Sequence, residues 1–109
     1  MGSGAAAAGF VRVAHVDELT EGVPHGLEVR GQRICLARVD GEVAAFADQC
    51  THREYPLSAG TVLEDGTIEC PWHGARFDCR SGEVRQGPAT KAVRTYEVRI
   101  VGEFIEVKA

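Results

Sequence analysis

The chain has 109 residues, enough for one domain with a modest core and too few for two. Its formal charge is −4, with acidic and basic residues interspersed, which excludes the clustered basic footprint of a nucleic-acid binder and leaves a protein partner open. No apolar run approaches a membrane span and the N-terminus lacks a signal-peptide pattern, so a reduced, cytoplasmic chain is expected, in which four cysteines mean metal or redox chemistry.

Residues 1–9 hold no core-forming side chain beyond alanine and read as a disordered leader or expression remnant, leaving 10–109 as a single domain. Residues 10–13 alternate apolar and polar, which predicts a first strand. Asp17, Glu18 and Leu19 suit a short helical turn ended by Gly22 and Pro24. Short apolar runs at 27–30, 33–39 and 43–47 predict three more strands. Asp40-Gly41 between the last two marks a hairpin, because a type I′ turn needs positive φ at both central residues.

Residues 48–60 have turn composition. Runs at 61–63 and 67–70 flank Glu64-Asp65-Gly66, a second hairpin; 74–77 is a brief strand and Ser81-Gly82 a turn. Residues 93–101 read as a strand with Val93, Thr95, Glu97 and Arg99 on one face and Arg94, Tyr96, Val98 and Ile100 on the other, Gly102 turns the chain, and 104–107 pairs back. With no long helix, the expectation is a small all-β antiparallel sandwich or barrel, into which a segment of about 46–82 is inserted.

That inserted segment carries the chemistry. Cys50-Thr51-His52 is followed, after residues 53–69, by Cys70-Pro71-Trp72-His73. Two thiolates and two imidazoles in turn-rich stretches are a metal-ligand set: Cys50, His52, Cys70 and His73. Structural zinc commonly uses knuckles that join two cysteines, and none occurs here, although a zinc site stays open on residue type alone. Cys35 lies in an apolar run and reads as core, and Cys79 as a solvent-side or packing thiol. His15 and His25 read as surface residues. Arg53, Glu54 and Arg76 flank the ligands and are solvated or touch a partner.

The two half-motifs resemble the paired loops of Rieske 2Fe-2S proteins, in which two His replace two Cys on one iron. Asp40-Gly41, Phe46-Ala47, Pro56-Leu57-Ser58, Phe77-Asp78, Ser81-Gly82 and Gly87-Pro88-Ala89 extend the resemblance over about 10–107. It is similar above all to the ferredoxins of bacterial aromatic-ring dioxygenase systems. The resemblance implies one 2Fe-2S cluster on Cys50, His52, Cys70 and His73, with the thiolates on one iron and the imidazoles on the other. It implies a one-electron carrier, not an enzyme, between an FAD- and NAD(P)H-dependent ferredoxin reductase and a terminal oxygenase. Both partners would dock transiently near His52 and His73.

Where Rieske proteins of respiratory complexes have a loop disulfide, this chain has Tyr55 and Trp72, which predicts aromatic packing in its place, with Trp72 shielding the cluster. Where those proteins have Ser and Tyr hydroxyls, it has Ala75 and Phe77, which cannot donate to sulfur. A potential near the low end of the Rieske range, roughly −150 to +300 mV, is therefore expected. Glu54 departs from a family glycine. The resemblance also allows a Rieske-like small subunit of a nitrite reductase. A complete oxygenase is excluded for this chain, because only His15 and His25 remain for a mononuclear iron.

Overall fold

A computed structural model describes residues 9–51 and 55–109. Among them, ten strands form two antiparallel sheets. The first sheet has the order β1 (Phe10–His15), β10 (Phe104–Lys108), β9 (Thr95–Val101), β4 (Glu42–Ala47), β3 (Gln32–Val39) and β2 (His25–Val29). The second has the order β5 (Thr61–Val62), β6 (Thr67–Glu69), β7 (Arg76–Asp78) and β8 (Val84–Gln86). The all-β architecture and the inserted second sheet agree with the sequence pattern. Among the described residues, no helix is long and apolar enough to cross a membrane.

Strand β3 explains how the halves share a core. Ile34 and Leu36 enter one apolar cluster with Val29, Ala45, Ile105 and Val107. Cys35, Ala37 and Val39 point the other way, into a cluster with Phe46, Leu57, Ile68 and Phe77. The period of two thus sends alternate side chains into different cores, so β3 reads as a continuous apolar run rather than an alternating one. The second core lies beneath the inserted segment and contains all four cysteines.

The turns follow local chemistry. Asp40 and Gly41 have φ 52 and 79, as the type I′ reading requires, and Glu21 accepts both backbone N–H groups at 2.7 and 3.2 Å. Arg30 and Gly31 make a matching turn, φ 52 and 79, between β2 and β3. In the β5–β6 hairpin, Asp65 Oδ1 accepts from Thr67 N at 3.1 Å and Thr67 Oγ1 at 2.6 Å.

The strand bounds shift from expectation by one or two residues, two of the shifts bear on the inserted segment, and one strand was not foreseen. The strand expected at 93–101 begins only at Thr95. Val93 is buried in the second core instead, and its N–H donates to Gly82 O at 2.9 Å. The brief strand expected at 74–77 is Arg76–Asp78, and β8 pairs beside it.

Candidate metal centre

Two loops of equal size emerge from the second core. Cys50 N donates to Tyr55 O at 2.9 Å, and Cys70 N donates to Ala75 O at 2.8 Å. Each loop is closed by its own cysteine across the same five-residue step, with its histidine inside the closure. Cys50 and Cys70 are 1% and 2% exposed, whereas His73 is exposed. The backbone therefore points two sulfurs inward and the second-loop imidazole toward the rim. His52, with Arg53 and Glu54, lies outside the described residues.

The second loop turns sharply. His73 has φ 142, and Gly74 follows at φ 75 with its N–H on Cys70 O at 3.1 Å. A non-glycine residue held at such a φ costs of order 1–3 kcal/mol and persists where its surroundings impose it. Gln86 Nε2 donates to Gly74 O at 3.3 Å, which ties the loop to β8. In the first loop, Thr51 Oγ1 donates to Lys91 O at 2.6 Å.

Aromatic rings bridge the two loops. Tyr55 and Trp72 stack with centroids 6.0 Å apart and planes 21° from parallel. These are the two positions where a disulfide would stand in the respiratory proteins, so ring packing takes its place, as expected. Trp72 also meets His73 edge-on at 5.4 Å. Its indole is half exposed, so it lies on the rim of the loops rather than as a lid sealed from water.

The four cysteines are free thiols. Burial raises the Cys70 thiol above its ordinary range; a Trp72 backbone contact lowers it, and the neighbouring Cys50 thiol raises it again. Two thiols brought together in a dry core, unoxidised, suit the donor pair of a soft cation. Among the described residues, Cys50, Cys70 and His73 do not converge as ligands of one ion; the group that does is His15, Asp17 and Glu103.

The His15 group is explained by capping. His15 Nδ1 accepts from Asp17 N at 3.1 Å, His15 N donates to Glu18 Oε1 at 3.0 Å, and Nε2 meets Glu103 Oε1 at 2.8 Å. His15 is thus a cap for the 3₁₀ turn Val16–Glu18 rather than an idle surface residue.

Cys35 and Cys79 are fully buried in the core beneath the loops, outside the Cys50–Tyr55 and Cys70–Ala75 closures. Burial, chiefly, pushes the Cys79 thiol up to about 12, and Asp78 adds to the rise. Both are packing thiols. Arg76 pairs with Glu69 at 3.3 Å across β6 and β7.

Sequence reasoning passed over Asp48, two residues before Cys50. Its side chain is fully buried; Oδ1 accepts from Ser58 N at 2.6 Å and Oδ2 from Ser58 Oγ at 2.7 Å. The only signal was an acidic residue at the end of an apolar strand, which also reads as a turn residue.

The Rieske [2Fe-2S] domain pattern matches residues 9–97. The biphenyl dioxygenase ferredoxin subunit of Pseudomonas sp. (strain KKS102) is 35% identical over 98 residues, covering 90% of each chain. The anthranilate 1,2-dioxygenase ferredoxin subunit of Burkholderia cepacia is 42% identical over 93 residues, covering 84% of each. Among solved structures, the ferredoxin of carbazole 1,9a-dioxygenase from Nocardioides aromaticivorans IC177 superposes with TM-score 0.86 at 37% identity, covering 90% of this chain and 95% of that one. A ferredoxin chain in a complex of reduced oxygenase and oxidized ferredoxin of carbazole 1,9a-dioxygenase gives TM-score 0.86 at 27% identity, covering 93% and 94%. A strand-built scaffold with two matched Cys loops, matched nearly end to end by ferredoxin subunits, leaves one conclusion: the chain belongs to the Rieske [2Fe-2S] domain family, as an electron-carrying ferredoxin with one 2Fe-2S cluster.

Proposed function

We propose that Cys50 and Cys70 hold one iron of the cluster and His52 and His73 the other, and that the chain carries single electrons to a terminal oxygenase. The observation that carries this reading is the pair of equal loops, each closed from its cysteine N–H to the carbonyl five residues on. When bound, the cluster supplies a one-electron couple. The chain's own residues bury the sulfurs, hold the His73 ring outward and keep the loops in register through Tyr55 and Trp72.

Pro71, Trp72 and His73 are all exposed and make an apolar, ring-lined rim. A small patch of this kind suits brief docking to an oxygenase and to a flavin-dependent reductase. The carbazole relative is solved together with its oxygenase, which supports the first partner. Cys35 and Cys79, thiols outside the proposed ligand set and in no disulfide, fit the reducing setting of a cytoplasmic carrier.

A ligand exchange tests the assignment. His73→Cys is expected to retain a cluster but to shift the reduced EPR spectrum from the mixed-ligand type to the all-thiolate type. His25→Cys serves as control and leaves the spectrum as it was. An unchanged spectrum in His73→Cys removes His73 from the ligand set.

A further inference from the structure

Positions 48 and 58 bracket the first loop. The Asp48 carboxylate joins them through two bonds to Ser58, at 2.6 and 2.7 Å, with its side chain wholly withdrawn from water. A buried carboxylate needs partners to offset its desolvation. Besides Ser58 it has Arg33, whose guanidinium lies 3.6 Å away but is 67% exposed. The neighbouring strand makes room for the contact. A Cβ on Gly26 would stand 2.6 Å from Ser58 Oγ and 2.7 Å from Asp48 Oδ2. The site is therefore built by four segments: β2, β3, the end of β4, and the far side of the loop.

The charge reaches the core that holds the cysteines. After burial, the Asp48 charge is the next cause raising the Cys35 thiol, and Cys35 packs in the same cluster as Cys50 and Cys70. Two residues of chain place the Asp48 Cα within about 7 Å of the Cys50 Cα. A negative charge at that range, in an apolar surround, opposes the arrival of an electron. Arg33 cancels it only in part, because solvent screens the exposed cation more than the buried anion.

We propose that Asp48 is a positioning residue that clasps the first cluster loop through Ser58 and, by its buried charge, lowers the reduction potential, with Arg33 as partial counterweight. The inference rests on the ligand assignment proposed above. It assigns to one side chain both the closure of the loop and a share of the low potential.

The test uses the holoprotein and measures midpoint potential by spectroelectrochemistry, with visible and EPR spectra as a check on the ligands. Asp48→Asn keeps an acceptor for Ser58 N and removes the charge. It is expected to shift the reduction equilibrium at least threefold toward the reduced form, which is about 28 mV at 59 mV per tenfold for one electron. Arg33→Gln is expected to shift it the opposite way. Asp48→Ala, which breaks the clasp, is expected to shorten the half-life of the bound cluster, and Asp48→Asn to restore most of it. Potentials unchanged in both charge variants, or moving in the same direction, overturn the electrostatic role. Equal half-lives for Asn and Ala overturn the clasp. If Asp48→Asn does not load a cluster, the sign of the Arg33→Gln shift decides. Wild-type-like spectra in the variants show that the ligands are unmoved, and a failure of the ligand assignment shows separately in His73→Cys.

Discussion

Replacing Gly82 with alanine tests how the turn between β7 and β8 is anchored to Val93, and Gly102→Ala is its internal control. Both glycines have positive φ, 77 and 63, so each substitution carries the left-handed penalty of about 1 kcal/mol. At Gly102 an added Cβ meets nothing within 4 Å. At Gly82 it runs into the Val93 carbonyl oxygen and comes within 3.0 Å of Thr95 Cγ2. Relief requires Val93 to move, and the Val93 N–H bond to Gly82 O, 2.9 Å, stretches with it. Val93 is 4% exposed, so an unpaired N–H there costs about 1–3 kcal/mol. Gly82→Ala should therefore be less stable than Gly102→Ala by about 2 kcal/mol. For a domain near this size, 1 kcal/mol moves Tm by roughly 4–8 °C, so the two variants should differ by about 8 °C or more. The assay is thermal unfolding of the holoprotein by circular dichroism at one scan rate, because cluster loss makes the transition irreversible. Equal losses of Tm in the two variants would refute the claim that Val93 is pinned against Gly82.

Three more outcomes are expected. Burial alone would raise the Asp78 carboxyl, but backbone N–H donors from Ser81 and Arg80 and the Arg85 guanidinium outweigh it and hold it below the usual carboxylate range. Its stabilisation is present above the unfolded value of about 3.9 and is lost as pH falls through the folded value. Asp78→Asn should thus flatten the acid limb of urea midpoint against pH and lower the midpoint near neutrality; a parallel curve contradicts it. Ala75→Ser places a hydroxyl at a position 1% exposed beside the Cys70 closure and should raise the reduction potential, checked by redox titration; a fall counts against the account of the missing donors. Cys79, buried and raised to about 12, should resist iodoacetamide near pH 8 in the folded holoprotein and react only after unfolding, as mass spectrometry would show.

The parts legible in the sequence were those governed by neighbours along the chain. Asp40-Gly41 announced its turn because the two residues alone determine its φ values. The loop aromatics Tyr55 and Trp72 declared themselves by standing where a covalent link would otherwise be, and they do stack. What stayed hidden depends on distant partners. Asp48 looks like any acidic turn residue until Ser58 and the bare face of Gly26 come together around it. Val93 adjoins the strand run in sequence, yet it packs in the second core and bonds to Gly82 O ahead of β9. Strand β8 is short and mostly exposed, so it has no apolar pattern to betray it. The cap at His15 is local, through Asp17 N and Glu18, and went unread because histidine is an uncommon N-cap residue, while its contact with Glu103 comes from the other end of the chain.

Residues 93–95 hold a consequence for speed. Ala47 N donates to Arg94 O at 2.8 Å just before the first loop, and Val93 N donates to Gly82 O in the turn that follows β7. One short stretch therefore fastens the entry to the first loop and the β7–β8 turn of the second sheet to the main sheet, at the start of β9. Segments moored at a common post shift together or hardly at all. Dipoles that stay put while charge comes and goes leave little to rearrange, and an electron can then cross to a partner within the brief life of an encounter.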